Sequence, residues 1–229
     1  KIYPCLVTKG TKTYDMAKNG SFKPVTTKKG ARLIAQIFKS IPRYVRVMRI
    51  QRDIPTNNVE FGIKNSNLRQ FVHEEIKKQK IISKDIRSRE IGIKQINGGE
   101  IGKTWKINIE KYSASNGLEF FIDVVDEYDT LLGFIRLRLP HKASLRNEIN
   151  DKTALIRELH IYGQTIPVGN IDNTKNQHKG WGKKLVEKCE EISKKNGYKK
   201  IAIISGIGVR QYYKKLGYKL EGVYMVKEI

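Results

Sequence analysis

The stretch Gln177-His178-Lys179-Gly180-Trp181-Gly182-Lys183-Lys184 sets two glycines and three lysines against an amphipathic helical pattern in which Leu185, Val186, Cys189 and Ile192 share one face. At a helix start the first backbone N–H groups lack intrahelical partners, and the macrodipole concentrates about half a positive charge there. Such an end binds phosphates readily, and glycines let the backbone pass close to a pyrophosphate. Other phosphate motifs fit poorly. A dinucleotide fingerprint needs an acidic residue at the end of the next strand, where "KKIAIIS" has none, and a P-loop needs Gly-Lys-Ser or Gly-Lys-Thr, not Gly182-Lys183-Lys184. Taken by itself, the glycine spacing also suits a plain loop before a surface helix. Downstream, "RQYYKKLGY" carries Tyr212 and Tyr213, which read either as two core aromatics or as one core phenol and one directed at a ligand. His73, His141, His160 and His178 have no ligand spacing with one another or with Cys5 and Cys189, so no metal site is expected. The two lone cysteines read as buried thiols of a reducing compartment.

The elements that must position this loop fall into two grammars. Up to about residue 88 the chain reads as strand and helix alternation: "KIYPCLV", a polar turn around Tyr14–Lys18, then a helix in "TTKKGARLIAQIFKSI". In that helix Leu33, Ile34, Ile37, Phe38 and Ile41 form the apolar face, with Thr26 or Thr27 as N-cap. "YVRVMRIQRDI" reads as a strand, and "NLRQFVHEEIKKQK" as a helix with Leu68, Phe71, Val72 and Ile76 inward. Alternation of this kind argues for βα units and a parallel sheet. Beyond residue 88 come shorter strands with hairpin signals. A turn is expected at "SNG", a second near Asp126–Thr130, a long strand at "ALIRELHIYG", a buried strand at "KKIAIIS", then a short helix and one terminal strand.

Composition narrows the partner. Lys and Arg number 45 against 23 acidic residues, a formal charge of +22, which points to a polyanion and first to nucleic acid. No apolar run approaches the roughly 20 residues of a membrane span. Arg43, Arg46, Arg49 and Arg52, with Arg87, Arg89 and Lys9, are the candidate phosphate contacts, since arginine forks suit phosphates. The first residue is Lys1 and no Met, so the expectation is a piece of a longer chain.

Strand, Q-x-x-G-x-G, helix, strand and Y-Y-x-x-x-G-Y together resemble the GNAT acetyltransferase superfamily. "RELHIYGQTIPVG", "ISGIGVRQYYKKLGYKLEGVYMVK", "KIYPCLVTKGT" and "RVMRIQRDIP" extend the resemblance from about Lys1 to Lys227, to the Elongator catalytic-subunit family, which carboxymethylates uridine 34 of tRNA. The resemblance implies an α/β architecture: a C-terminal GNAT acetyltransferase fold packed on the last βα units of a truncated radical SAM barrel, divided as 1–88 and 89–229. It implies a cytoplasmic acyltransferase that takes its two-carbon unit from acetyl-CoA and acts on the tRNA anticodon stem-loop, as a homodimer or with companion Elongator subunits. Glu158, Leu159, His160 and Ile161 would line the acyl and pantetheine arm. Trp181, Gly182 and Lys183 would hold the pyrophosphate, with Gln177 and Gly180 shaping the loop. Tyr213 would stand by the thioester sulfur as a proton donor, with Tyr212 and Glu158 as further catalytic candidates. Trp181 stands where the family often has another aromatic, a small change if its backbone N–H makes the contact. A larger departure is the absence of the cysteine triplet of the radical domain. S-adenosylmethionine and a four-iron four-sulfur cluster are therefore expected of the full-length family and not of residues in this chain. A protein lysine acetyltransferase of the same superfamily is the alternative; its basic peptide acceptor suits a +22 chain poorly.

Overall fold

A computed structural model describes residues 1–141, 146–162 and 180–229, which divide into two compact units, Lys1–Arg89 and Glu90–Ile229. The first unit holds α1 (Lys12–Lys18), α2 (Thr27–Ile37), α3 (Leu68–Lys78) and the single turn α4 (Ile86–Arg89). Thr26 caps α2, its hydroxyl oxygen accepting from the Lys29 N–H at 3.4 Å. The buried face of α2 is Ala31, Ile34, Ala35 and Phe38, packed with Leu68 and Val72 of α3 and with Val47, Ile50 and Ile63. This corrects the expected stripe: Leu33 is 57% exposed and Ile37 40% exposed. Small residues at positions 31 and 35 let the helix sit close to its neighbours, so the face is chosen by fit and not by side-chain size.

The strands expected at "KIYPCLV" and "YVRVMRIQRDI" do not form. Val7 makes an isolated antiparallel bridge with Phe61, and residues 45–49 run without a strand partner. Their backbone groups are satisfied otherwise. The Val47 N–H donates to the buried Asp85 carboxylate at 3.3 Å, and the Arg69 guanidinium donates to the carbonyls of Val47 and Met48 at 2.9 and 3.1 Å. Backbone bonds from the Val45 N–H to Pro42 at 3.0 Å, from the Ile86 N–H to Val45 and from the Ile2 N–H to Arg49, both 2.9 Å, engage further groups. These scattered partners take the place of a ladder.

The second unit begins with α5 (Ile91–Ile96) and is built on a sheet of β1 (Lys106–Ala114), β2 (Gly117–Val125), β3 (Leu131–Leu139), β4 (Thr153–Ile161), β5 (Lys200–Ile204), β6 (Lys219–Glu221) and β7 (Tyr224–Glu228). Its order is β1-β2-β3-β4-β5-β7-β6. β1 to β4 form an antiparallel meander, as the hairpin signals anticipate. Ser115 and Asn116, at φ +46° and +58°, make the tight β1–β2 turn, and Asp126 ties the second turn by accepting from the Tyr128 and Thr130 N–H groups at 2.9 and 2.7 Å. β4 and β5 are parallel, with α6 (Trp181–Lys195) lying between them in sequence. α7 (Arg210–Lys215) then leads to a hairpin, β6–β7, where one terminal strand was expected; Gly222 at φ +56° turns the chain. Leu185, Val186, Cys189 and Ile192 of α6 pack on Ile122, Ile135, Leu137, Ile156, Ile201 and Ile203. Cys189 is buried, whereas Cys5 is exposed, contrary to expectation. Among the described residues no helix is long and apolar enough to cross a membrane.

Candidate functional site

The site grows from the start of α6. Gly180 has φ +89°, a conformation that side chains rarely adopt, and among the described residues nothing lies within 4 Å of where its Cβ would be. The first intrahelical bond runs from the Lys184 N–H to the Gly180 carbonyl at 3.0 Å. The N–H groups of Trp181, Gly182 and Lys183 therefore have no partner inside the helix, Gly180 offers no side-chain cap, and the first turn holds no acidic residue. The lysine side chains lie along the helix: Lys183 Nζ is 3.7 Å from Glu187, and Lys184 Nζ is 4.2 Å from the centre of the Trp181 ring. What remains directed outward is the backbone, the requirement for an anion held by N–H donors.

Gly182 is where three elements meet. A Cβ there would stand 2.8 Å from Tyr212 Oη and 3.7 Å from Ile161 Cγ1, so α7 and β4 both approach the helix at this point. Tyr213 takes the other role. It is buried in the core beneath the site, edge-on to Tyr212 and Tyr218 with ring centres 5.2 and 6.1 Å away. Burial pushes its phenol up to about 12, the neighbouring Tyr212 adding to the effect. Tyr212 is exposed, and its phenol too is raised, by partial burial and by the Glu187 carboxylate. The phenol nearest the helix start is thus that of Tyr212.

β4 supplies the floor and the opening. Leu137 pairs with Ile156 but Arg136 pairs with Glu158, so Arg157 is an extra residue, a β-bulge. Pairing of β4 with β5 ends at Ile156 and Ile203, one residue before that bulge. The two parallel strands therefore separate beside the α6 start. Alternation splits the four expected arm-lining residues between the two faces of the sheet. Leu159, opposite the core residue Ile135, and Ile161 lie on the α6 side. Glu158 and His160 lie on the other, where Glu158 accepts from Arg136 Nε at 2.7 Å and stands 3.0 Å from His160 Nε2. His160 also stacks against Tyr162, and the Arg136 guanidinium sits over Phe121 and Phe134. Arg136 went unremarked in the sequence, although the "RLRL" alternation of β3 could have shown it. Gln177 lies outside the described residues.

Of the candidate nucleic-acid contacts, Lys9, Arg49 and Arg52 are exposed; Lys9 is 3.8 Å from Glu60, Arg49 is paired with Asp53, and Arg52 sits over the Tyr3 ring at 5.3 Å. Arg43, Arg46 and Arg87 are partly buried. Arg89 is a correction: it is 4% exposed and spends its guanidinium on the carbonyls of Lys84 and Arg43 at 3.0 Å, inside the first unit. These residues do not form one alternating row, because residues 44–54 are not a strand. Arg49, Arg52 and Arg69 instead border one concavity of about 240 Å³ with Gln51 and Ser66.

Among the described residues no group of three His, Cys, Asp or Glu could hold a metal ion. The two cysteines belong to different units, so the residues present do not fit an iron-sulfur cluster. An acyl-CoA does fit: among the described residues, a helix start without a side-chain cap, open space at Gly180 and a separation of β4 from β5 suit a pyrophosphate followed by a slender arm.

Comparison with known proteins gives two matching family models, the Radical_SAM C-terminal domain over residues 1–78 and the Acetyltransferase (GNAT) family over residues 96–218. The chain is 44% identical over 232 residues to a tRNA uridine(34) acetyltransferase of Methanocaldococcus jannaschii, covering 99% of this chain and 43% of that protein. It is 39% identical over 229 residues to Elongator complex protein 3 of Homo sapiens, covering 99% of this chain and 42% of that one. The solved structure of archaeal Methanocaldococcus infernus Elp3 with an N-terminal deletion (1–46) superposes with a TM-score of 0.88 at 41% identity, over 100% of this chain and 55% of the other. The chain thus spans less than half the length of these curated relatives.

Proposed function

The chain belongs to the GNAT acetyltransferase family, and from that premise we propose that it binds acetyl-CoA at the start of α6 and tRNA as its second ligand. On this reading it is part of an acyltransferase that serves formation of 5-carboxymethyluridine at wobble uridine 34. The observation that carries the reading is the uncapped, glycine-bounded start of α6, opening beside Ile161, Tyr212 and the separation of β4 from β5. The names of the relatives, which specify uridine 34 of tRNA or the Elongator complex, and the +22 charge support RNA as the acceptor.

Acetyl-CoA, when bound, supplies an activated two-carbon acyl group. The N–H groups of Trp181, Gly182 and Lys183 hold its pyrophosphate, and Leu159 and Ile161 flank its arm on the α6 side. Tyr212 stays protonated at neutral pH and can offer its Oη proton to a departing thiolate. Tyr213 acts through Tyr212, as the buried ring on which it rests. Glu158 and His160, on the opposite face, border the acceptor side and orient the acceptor through the Arg136 ion pair.

Acetyl-CoA hydrolysis measured with and without tRNA tests this function. The expected result is binding of acetyl-CoA and hydrolysis that rises with tRNA, that Gly180→Asp abolishes and that Tyr212→Phe lowers at least tenfold. Stable labelling of basic peptides without any tRNA dependence would establish a lysine acetyltransferase instead.

A further inference from the structure

The sheet face away from α6 carries a concavity of about 390 Å³, in the size range of small-ligand sites, lined by Ser115, Arg138, Leu155, Ile156, Arg157, Ile204 and Tyr224. Its side of the sheet follows from register: Leu155 pairs with Arg138 and with Ala202, whereas the flanking Ile201 and Ile203 pack under α6. It opens at the β4 bulge, where β4 leaves β5. The concavity thus lies on the sheet face opposite α6, alongside β4 at the bulge. On the proposed function the pyrophosphate belongs to the α6 face, which leaves this face to the acceptor.

The lining identifies the chemistry. Glu119 is 2% exposed, and its Oε1 accepts from Arg138 at 2.8 Å and from Arg157 at 3.0 Å. Two guanidiniums share one carboxylate, so even a fully ionised Glu119 leaves a net positive charge. Arg138 is anchored further by donating to the carbonyls of Ala114 and Ser115 at 3.1 and 3.0 Å. Arg157, whose side chain is 56% exposed, has Glu119 as its ion-pair partner among the described residues and retains donors for a ligand. Tyr224 adds an aromatic face at the same concavity, with the Arg146 guanidinium 6.0 Å from its ring centre. Arginine forks beside an aromatic ring recognise a phosphate and a base together.

We infer that this concavity is the acceptor-side nucleotide site: Arg157, backed by Arg138 and Glu119, takes a backbone phosphate of single-stranded RNA, and Tyr224 takes the adjoining base or ribose. The inference rests on the proposed function and adds residues to it. The test measures binding of a uridine-loop RNA hairpin over a salt series for wild type, Arg157→Gln and Tyr224→Leu, with acetyl-CoA affinity and melting temperature measured in parallel. Arg157→Gln should weaken the hairpin about fivefold near ~0.15 M salt, the counterion-release worth of one phosphate contact, and lower the salt slope by about 1. Tyr224→Leu should weaken it about fivefold or more with the slope unchanged. Acetyl-CoA affinity should stay the same in both variants. Unchanged hairpin binding in Arg157→Gln overturns the inference and leaves the proposed function standing. A loss of acetyl-CoA affinity in Arg157→Gln also overturns it, and assigns the arginine to the phosphate of the nucleoside portion of CoA. Wild-type protein that binds acetyl-CoA but not the hairpin overturns RNA as the acceptor and this inference with it.

Discussion

At Gly180 and Gly182 the proposed coenzyme site can be tested by single substitutions. Gly180→Asp would place a carboxylate at a positive φ and at the positive end of α6. Strain of about 1 kcal/mol is partly offset by the favourable dipole interaction, so the melting temperature should move little while acetyl-CoA affinity falls more than tenfold. Calorimetric titration beside thermal unfolding separates the two effects. Gly182→Ala differs in kind. Its Cβ would meet Tyr212 Oη at 2.8 Å, the far end of a side chain that can turn away, so stability should hold while that phenol is displaced. Tyr213 makes a prediction about pH. Its phenol is raised from 10.0 to about 12 in the folded chain, so the unfolded chain loses its proton first as pH rises. Stability from this group is complete below pH 10 and disappears as pH climbs through 12. Tyr218, raised in the same direction by burial and by Glu190, extends the effect to higher pH. Urea unfolding of wild type and Tyr213→Phe between those pH values should show a shallower decline in the variant.

Among the elements, α2 and α6 show what periodicity can and cannot supply. The α6 face was legible, since beyond Trp181 at its start Leu185, Val186, Cys189 and Ile192 are the apolar residues of the helix and all are buried. In α2 the apolar residues outnumber the buried positions, and the face is chosen by the small residues Ala31 and Ala35. Ile34→Ala should therefore cost roughly 2–4 kcal/mol, and Leu33→Ala less than about 1 kcal/mol. Equal losses in denaturant unfolding would restore the face expected from the sequence. The strands of the second unit were legible through turn residues at Ser115–Asn116 and Asp126–Thr130. Residues 44–54 were not, because their backbone partners, Asp85 and Arg69, are distant in sequence and leave no periodic trace. Strand alternation already divides Glu158 and His160 from Leu159 and Ile161; what the sequence hid was which pair faces α6. The bulge at Arg157 is a property of pairing with β3, and the motif by itself gives consecutive residues no face.

For the whole molecule, the charge of +22 becomes a statement about linkage to salt. If RNA is the polyanion, its affinity must fall steeply with ionic strength, and Arg49→Gln and Arg52→Gln should each lower the slope by about 1 where they meet phosphate. Arg89→Gln should leave the slope intact and lower stability, since that buried guanidinium serves the carbonyls of Lys84 and Arg43. The proposed chemistry depends first on the α6 start being a coenzyme site. It is tested most directly by the melting temperature of wild type and Gly180→Asp titrated with acetyl-CoA. A ligand that binds the native state must raise the wild-type transition, by about 2.7 kcal/mol of stability at a hundred times its Kd, and should leave the variant where it was. An unmoved wild-type transition, or an equal rise in both proteins, would contradict it.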